Sequence, residues 1–457
     1  MKNSERIYQN LPIWLQNLAC SATGWNIRRK RYGAAFHSAL ADYERRLTAT
    51  RATLEEFKQA RLSGFVSHAL TTTPYYRNRK REFEIPDGFL SLPILTKSIV
   101  QHDILAFRSE SIPSSHCMTH HTSGTTGRGL VFPCTHESQR HQWAVWWRYR
   151  HSLGIQMDQW CGVFGGRSVV PRGQSVPPFW RINRPAKQII FSGYHLRTDW
   201  LDTYINEINR RQLTWLHGYP SHLTLVAKRL LESGKRLTVP MQIITTGAES
   251  LLDHQKETMK RAFGCEVCQH YGLAEGVANI SECRFGILHV DEDYSMVEFL
   301  PVAGTAASKI VGTNFTNLAF PLLRYDTGDL AFGVRDGGRC PCGREGRTVD
   351  RIDGRIEDYI VLKDGTKVGR LDHILKDMVA VREAQFVQRT PGKLVLRIVR
   401  GPEYSQETEK AIKQESTSRL GKDLDLEFEY RDQIPRNEGG KLRFVISELG
   451  SGPLSKS

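Results

Sequence analysis

Between residues 116 and 328 short β-rich runs alternate with helical stretches, and this alternation restricts the possible fold more than any other feature of the chain. Residues 214–216, 242–246 and 266–270 read as strands. Residues 221–232 and 252–263 carry helical periodicity between them. Such alternation predicts an α/β fold with a largely parallel sheet. Upstream, Ile7, Leu11, Trp14, Leu15 and Leu18 recur at three-to-four spacing, as do Leu54, Phe57, Ala60 and Leu62. That periodicity predicts helices, and Pro86 and Pro93 divide the region into several of them. Beyond Ile352 the pattern changes again. Residues 359–362, 385–388, 393–399 and 424–430 read as strands and residues 371–378 and 407–420 as helices, an α+β unit of about a hundred residues.

With 457 residues the chain exceeds the roughly 250–300 that one core organises, so at least two domains are expected. Lys and Arg number 63 against 49 Asp and Glu, a surplus of +14. Such a surplus suits nucleic acid, an anionic membrane or phosphate-bearing substrates. It is spread along the chain, and its runs at 28–31 and 77–81 are short enough to be solvated faces. No stretch approaches the roughly 18–20 apolar residues of a membrane span, and no secretory cleavage pattern follows the apolar residues near the start. The nine cysteines, odd in number, argue for free thiols in a reducing compartment. A cytoplasmic location is the resulting expectation.

The sharpest local feature is Thr122-Ser123-Gly124-Thr125-Thr126-Gly127-Arg128-Gly129. Its glycines let backbone N–H groups approach an anion closely, and its hydroxyls add donors. No lysine follows, so it is not the Gly-Lys-Ser/Thr loop, and taken alone it fits a solvent loop or a phosphate cradle. Cys265 and Cys268 have pair spacing, but on a strand side chains three apart face opposite ways, which makes them core thiols. Cys283, His289, Cys340 and Cys342 supply three thiolates and an imidazole, a set that closes a tetrahedral structural zinc site. Trp143, Trp146, Trp147 and Tyr149 share a helix whose spacing suits core packing more than substrate stacking.

Four further motifs follow in order: Tyr271-Gly272-Leu273-Ala274-Glu275, Arg324-Tyr325-Asp326-Thr327-Gly328-Asp329, Gly354-Arg355-Ile356-Glu357-Asp358 and Gly439-Gly440-Lys441-Leu442-Arg443. With the glycine/threonine loop they make the chain resemble the adenylate-forming superfamily of acyl-CoA synthetases, luciferases and peptide adenylation domains. Within it, Leu216-His217-Gly218-Tyr219-Pro220-Ser221, Pro321-Leu322-Leu323-Arg324-Tyr325 and Cys340-Pro341-Cys342-Gly343-Arg344 are similar to phenylacetate-CoA ligase and its relatives from capsular-polysaccharide clusters. The resemblance covers nearly the whole chain. It implies a large layered αβαβα domain with mixed sheets over residues 1–353 and a small mobile α+β domain over 354–457.

The resemblance also implies roles. Thr122, Ser123, Gly124, Thr125, Thr126 and Gly127 would hold the β- and γ-phosphates of ATP, with Arg128 where many members place a lysine. Glu275 would bind Mg²⁺, a cation that prefers carboxylate oxygen. Tyr271 with Gly272 would lie beside the adenine, and Gly247, Ala248 and Glu249 would form its other wall. Asp329 would accept from the ribose hydroxyls, and Arg355 would reach the ribose or phosphate. Lys441 would contact the substrate carboxylate and the bridging oxygen, and the Gly354 segment would be the hinge, with Glu357 where many members have aspartate. Similar Cys/His positions in some relatives support the zinc set.

These roles describe an ATP- and Mg²⁺-dependent ligase that adenylates a small-molecule carboxylate and passes the acyl group to CoA. An amine acceptor in capsule or exopolysaccharide assembly is the alternative, with peripheral contact with the polysaccharide machinery. A third reading is a non-catalytic basic binding protein on the same fold. Specific nucleic-acid binding is not expected, because ATP, pyrophosphate and CoA are themselves polyanions that a positive field attracts.

Overall fold

A computed structural model describes residues 7–79, 89–122, 130–171, 173–353, 360–363, 367–368, 371–375, 378, 380–420, 424–436 and 442–449. Ser123, Gly124, Thr125, Thr126, Gly127, Arg128, Gly354, Arg355 and Lys441 lie outside the described residues. The chain divides into two compact units. The first comprises Met1–Trp160, Ile182–Gln188 and Cys268–Asp353, and the second Cys161–Arg181, Ile189–Val267 and Gly354–Ser457. The architecture is mixed α/β, as expected.

The first unit opens with the helices Ile13–Arg31, Ala34–Arg46 and Arg51–Thr72. The last starts where Thr50 accepts a hydrogen bond from the Thr53 N–H, satisfying one of the donors a helix start leaves orphaned. Its inner residues Phe65 and Ala69 join Tyr76, Phe107, Phe132 and Phe320 in one apolar core. There Phe107 stacks on Tyr75 at 4.1 Å, and burying a ring of that size contributes roughly 2–3 kcal/mol. The hairpin Cys117–His121 with Val131–Thr135 follows. Where its two strands connect, Thr122 N–H donates to Leu130 O (3.0 Å) and Leu130 N–H to Thr122 Oγ1 (2.8 Å). Thr135 then caps the aromatic helix His136–Ser152 by accepting from Ser138 N–H.

The remainder of this unit corrects the expectation of a mainly parallel sheet. Glu266–Gly272, Asn279–Glu282, Leu288–Val290 and Thr348–Val349 pair antiparallel in turn. So do Ser295–Pro301, Ala307–Asn314, Tyr325–Phe332 and Arg351–Asp353. The connections 273–278, 283–287 and 302–306 are too short for a crossover helix, which parallel pairing needs.

The second unit holds the parallel part. Cys161–Gly165, Trp215–Gly218 and Ile243–Gly247 run side by side, with Cys161 opposite Trp215 and Trp215 opposite Ile243. The helix Pro220–Ser233 leads from one strand to the next; proline at its first position suits the helix start, and Gly234 ends it at φ 63°. The helix Asp253–Phe263 follows, with the Gln255 side chain accepting from Leu252 N–H and Gly264 stopping it at φ 66°. From Ile360 onward a second core forms around Phe386, Leu396, Ile398, Ile412 and Val445.

In that C-terminal part Val381–Thr390 pairs antiparallel with Lys393–Arg400, which pairs parallel with Asp425–Tyr430. Gln406–Leu420 forms the expected helix. Two readings are corrected. Residues 371–378 were expected as a helix, whereas the described residues among them form a 3₁₀ turn, Leu371–Leu375. The strand Val445–Ser447, parallel to Phe386–Gln388, went unread because three residues carry no periodicity.

Candidate functional site

Tyr271 and Asp329 are separated by 58 residues of chain and joined by a hydrogen bond, Tyr271 OH donating to Asp329 Oδ2 at 2.8 Å. The strand Glu266–Gly272 presents the tyrosine and the strand Tyr325–Phe332 the carboxylate. Burial, then the charge on Asp329, raises the Tyr271 hydroxyl well above its ordinary range. It is therefore a donor throughout the neutral range, and it fixes how the Asp329 carboxylate is turned. Glu275, buried in the turn that follows, is among the charges that raise Tyr271. Its main-chain carbonyl accepts from Asn314 Nδ2 at 2.9 Å.

Gly272 is required by space. A Cβ there would lie 2.9 Å from His270 Cε1 and 3.0 Å from Asn279 Oδ1. Asn279 also accepts from Trp146 Nε1 at 3.1 Å, and Trp146 meets His270 edge-on. Of the aromatic helix, Trp147 and Tyr149 are buried as core residues, while Trp143 and Trp146 are half-buried.

The strand carrying Asp329 is held by a residue whose role the sequence does not announce. Arg324 adopts φ 49°. Its guanidinium grips both Glu298 oxygens, with Nη2 at 2.7 Å from Oε2 and Nε at 3.0 Å from Oε1, and also donates to the carbonyls of Leu90 and Leu92. Arg324 thus braces the strand entrance; the motif Pro321–Tyr325 was visible in sequence, but not that its arginine pairs with Glu298.

In the second unit Gly247, Ala248 and Glu249 end the strand Ile243–Gly247, with Ala248 at φ 67°. The Glu249 carboxylate accepts from Leu442 N–H at 2.7 Å and from Ser221 N–H at 3.1 Å. Burial raises its pKa, opposed by Arg436 and by these donors. The Glu249 side chain is thus turned to peptide N–H groups, leaving the backbone of Gly247 and Ala248 at the end of the strand. Lys228 donates to the carbonyls of Val381 and Arg382, and Arg382 pairs with Glu232 at 2.9 Å. Burial lowers Lys228 to about 8, opposed by Glu383 and Glu232.

Cys283, His289, Cys340 and Cys342 come together with all four donor atoms within 4.8 Å of one another. Cys283 Sγ lies 3.9 Å from Cys340 Sγ, and Cys342 Sγ 3.5 Å from His289 Nε2. Zn–S bonds of about 2.3 Å and Zn–N bonds of about 2.0–2.1 Å at tetrahedral angles require about 3.8 Å and about 3.5 Å for these separations. A disulfide would need about 2.05 Å. Two turns build the set. Gly286 N–H donates to Cys283 O, and Gly343 N–H to Cys340 O. Cys342 N–H also points at Cys340 Sγ (3.5 Å).

Burial and the neighbouring Arg344 lower His289 to about 4, so its imidazole is neutral, the form that ligates. A buried network backs this cluster. Arg148 pairs with Asp291 (2.7 Å) and Asp293 (2.8 Å), and Arg344 with Asp291 (2.8 Å) and with Ser281 Oγ. Cys268 is buried on the strand Glu266–Gly272 and Cys265, half-buried, precedes it; neither belongs to this group.

The antiparallel meander, the parallel strands and the C-terminal α+β core define an adenylate-forming ligase fold. Residues 360–448 match the family model of the CapK C-terminal domain. Protein CapK of Staphylococcus aureus is 26% identical over 455 residues, covering 97% of this chain and 99% of that protein. Phenylacetate-coenzyme A ligase of Thermus thermophilus is 25% identical over 461 residues, covering 87% and 97%. Among solved structures, 2-hydroxyisobutyryl-CoA ligase in the postadenylation state with 2-HIB-AMP aligns at TM-score 0.66 and 17% identity, over 88% of this chain and 91% of that one. The chain is thus similar along most of its length to CapK and to phenylacetate-coenzyme A ligase, and it shares its fold with the CoA ligase.

Proposed function

We propose that the protein condenses a small carboxylic acid with ATP to an acyl-adenylate and transfers the acyl group to the thiol of CoA. The observation that carries this reading is the Tyr271–Asp329 pair, which sets a fixed carboxylate beside an aromatic ring, the pairing that ribose and adenine require. A carboxylate oxygen of the acid attacks the α-phosphorus, and the bond from that phosphorus to the α,β-bridging oxygen breaks, so that pyrophosphate leaves with the bonding pair. The CoA sulfur then attacks the acyl carbon, and AMP leaves with the bonding pair. Thr122, Ser123, Gly124, Thr125, Thr126 and Gly127 hold the leaving phosphates, Tyr271, Gly247 and Ala248 flank the adenine, and Asp329 and Arg355 take the ribose. Glu275 would hold Mg²⁺, which neutralises phosphate charge when bound. Lys441 supplies positive charge where the two anions meet.

The Glu249 to Leu442 hydrogen bond supports this assignment, because it holds the peptide next to Lys441. In Glu249→Gln one of the two N–H groups faces an amide NH₂ instead of an oxygen. A hydrogen bond to a charged acceptor is worth about 1.5–3 kcal/mol, so exchange of pyrophosphate into ATP is expected to slow by roughly tenfold or more. The KM for ATP should hold, and an unchanged rate would remove Glu249 from the reaction.

Cys283, His289, Cys340 and Cys342 hold a structural zinc in this reading and take no part in the chemistry. The proposed domain boundary lies at 353/354 and the proposed location is the cytoplasm. A second reading, acyl transfer to an amine in surface-polysaccharide assembly, is favoured by the match of residues 360–448 to the CapK C-terminal domain. The test is pyrophosphate exchange with a panel of carboxylic acids, followed by CoA or amines with the best acid. Exchange that no acid stimulates would overturn the proposal, and product formed with amines but never with CoA would select the second reading.

A further inference from the structure

The helix Ile13–Arg31 wears its side chains inside out. Its inner side is polar: Gln16 is 2% exposed, Asn17 Oδ1 accepts from Ile182 N–H at 2.8 Å, and Ser21 Oγ donates to Ile182 O at 3.1 Å. Gly24 lies so close to Asn183 that a Cβ would overlap its side-chain oxygen. Three large apolar residues face outward, with Trp14 63%, Leu18 57% and Trp25 56% exposed, while Leu15 and Ile27 are half-buried. At 3.6 residues per turn these three fall within about 40° of one another and run along about 17 Å of helix. Ile7, on the preceding segment, is also exposed. The three-to-four spacing of Ile7, Leu11, Trp14, Leu15 and Leu18 marks the helix, while Ile7, Trp14 and Leu18 stay exposed. A surface helix ordinarily turns such residues to the core.

Charge identifies what this face meets. From Ile7 to Ala41 the sequence contains Arg28, Arg29, Lys30 and Arg31 and no acidic residue. Arg28, Arg29 and Lys30 are exposed, and the Arg29 guanidinium lies over the Trp25 ring at 5.0 Å. A second copy of the chain would bring the same positive charge against itself. An anionic lipid surface would instead receive the tryptophans at headgroup depth, where their rings are favoured, and attract the basic end. No helix among the described residues is long and apolar enough to cross a membrane, so the contact is with one leaflet.

We propose that the outward face of Ile13–Arg31 docks the protein on anionic membrane, with Trp14, Leu18 and Trp25 in the interface and Arg28–Lys30 on the lipid phosphates. The proposal is independent of the reaction assigned above. The test is flotation of the full chain with vesicles of phosphatidylcholine alone and of phosphatidylcholine with one-third phosphatidylglycerol. Binding is expected to the mixed vesicles only, to weaken with salt, and to fall roughly tenfold or more in Trp14→Ser/Leu18→Ser/Trp25→Ser. Arg29→Glu/Lys30→Glu should also lose it. Both variants change exposed side chains, and unchanged circular dichroism verifies the fold. Equal binding of either variant and the parent protein, or no binding to mixed vesicles, overturns the proposal. So does a parent dimer that the triple variant converts to monomer, which would give the face to a second copy.

Discussion

Lys441→Ala is expected to lower ATP–pyrophosphate exchange by about two to three orders of magnitude while leaving the protein folded. In the proposed reaction a carboxylate must approach a phosphate, and both carry negative charge in the ground state. A preorganised cation at the point where that charge gathers is worth on the order of 3–4 kcal/mol of barrier. Lys441→Arg restores the charge but not its placement, because a planar fork does not occupy the volume of a compact ammonium. It should recover only part of the rate. Transfer from a preformed acyl-adenylate should be much less affected, because the oxygen that Lys441 stabilises is already bonded to phosphorus. Exchange undiminished in Lys441→Ala would contradict the assigned role, and equal loss in both half-reactions would indicate a structural defect instead.

The second large effect concerns the four metal-ligand side chains. Protein purified without chelator is expected to contain about one zinc per chain, and Cys340→Ser less than about half. Because the metal binds the folded arrangement and not the unfolded chain, its loss appears directly as lost stability. The meander that carries Cys283 and His289 also pairs with the strand of Tyr271, through His270 opposite Ser281 and Gly272 opposite Asn279. A loss exceeding about 3 kcal/mol should lower the thermal midpoint by roughly 6 °C or more for a unit of this size. Elemental analysis and calorimetry would measure both. Full stability with no metal present would show that the thiols are simply buried core.

The two units were legible to different degrees. Residues 214–216, 242–246 and 266–270 fall within or one residue from Trp215–Gly218, Ile243–Gly247 and Glu266–Gly272, the first two of them parallel neighbours. Buried parallel strands are continuous apolar runs flanked by helices, and both signals are local. The antiparallel meander after Asn279 was read less well, because hairpin direction depends on short turns such as Cys283–Gly286 rather than on period. Tyr271 and Asp329 could be named from motif order. Their hydrogen bond could not, since nothing in either motif encodes the register that aligns two strands 58 residues apart. Arg324, Lys228 and Glu249 illustrate the same limit: a charged residue reads as solvated unless its buried partner is known, and Glu298, Val381 and Leu442 are all distant in sequence.

The way Lys228 and Glu249 hold the C-terminal strands has an evolutionary consequence. Lys228 addresses the peptide carbonyls of Val381 and Arg382, and Glu249 addresses the peptide N–H of Leu442. These bonds depend on the path of the main chain and are largely indifferent to the side chains at positions 381 and 442. Substitutions there can accumulate while the docking survives, so the C-terminal region is free to drift, or to be exchanged for one suited to another acceptor, as long as the backbone keeps its course.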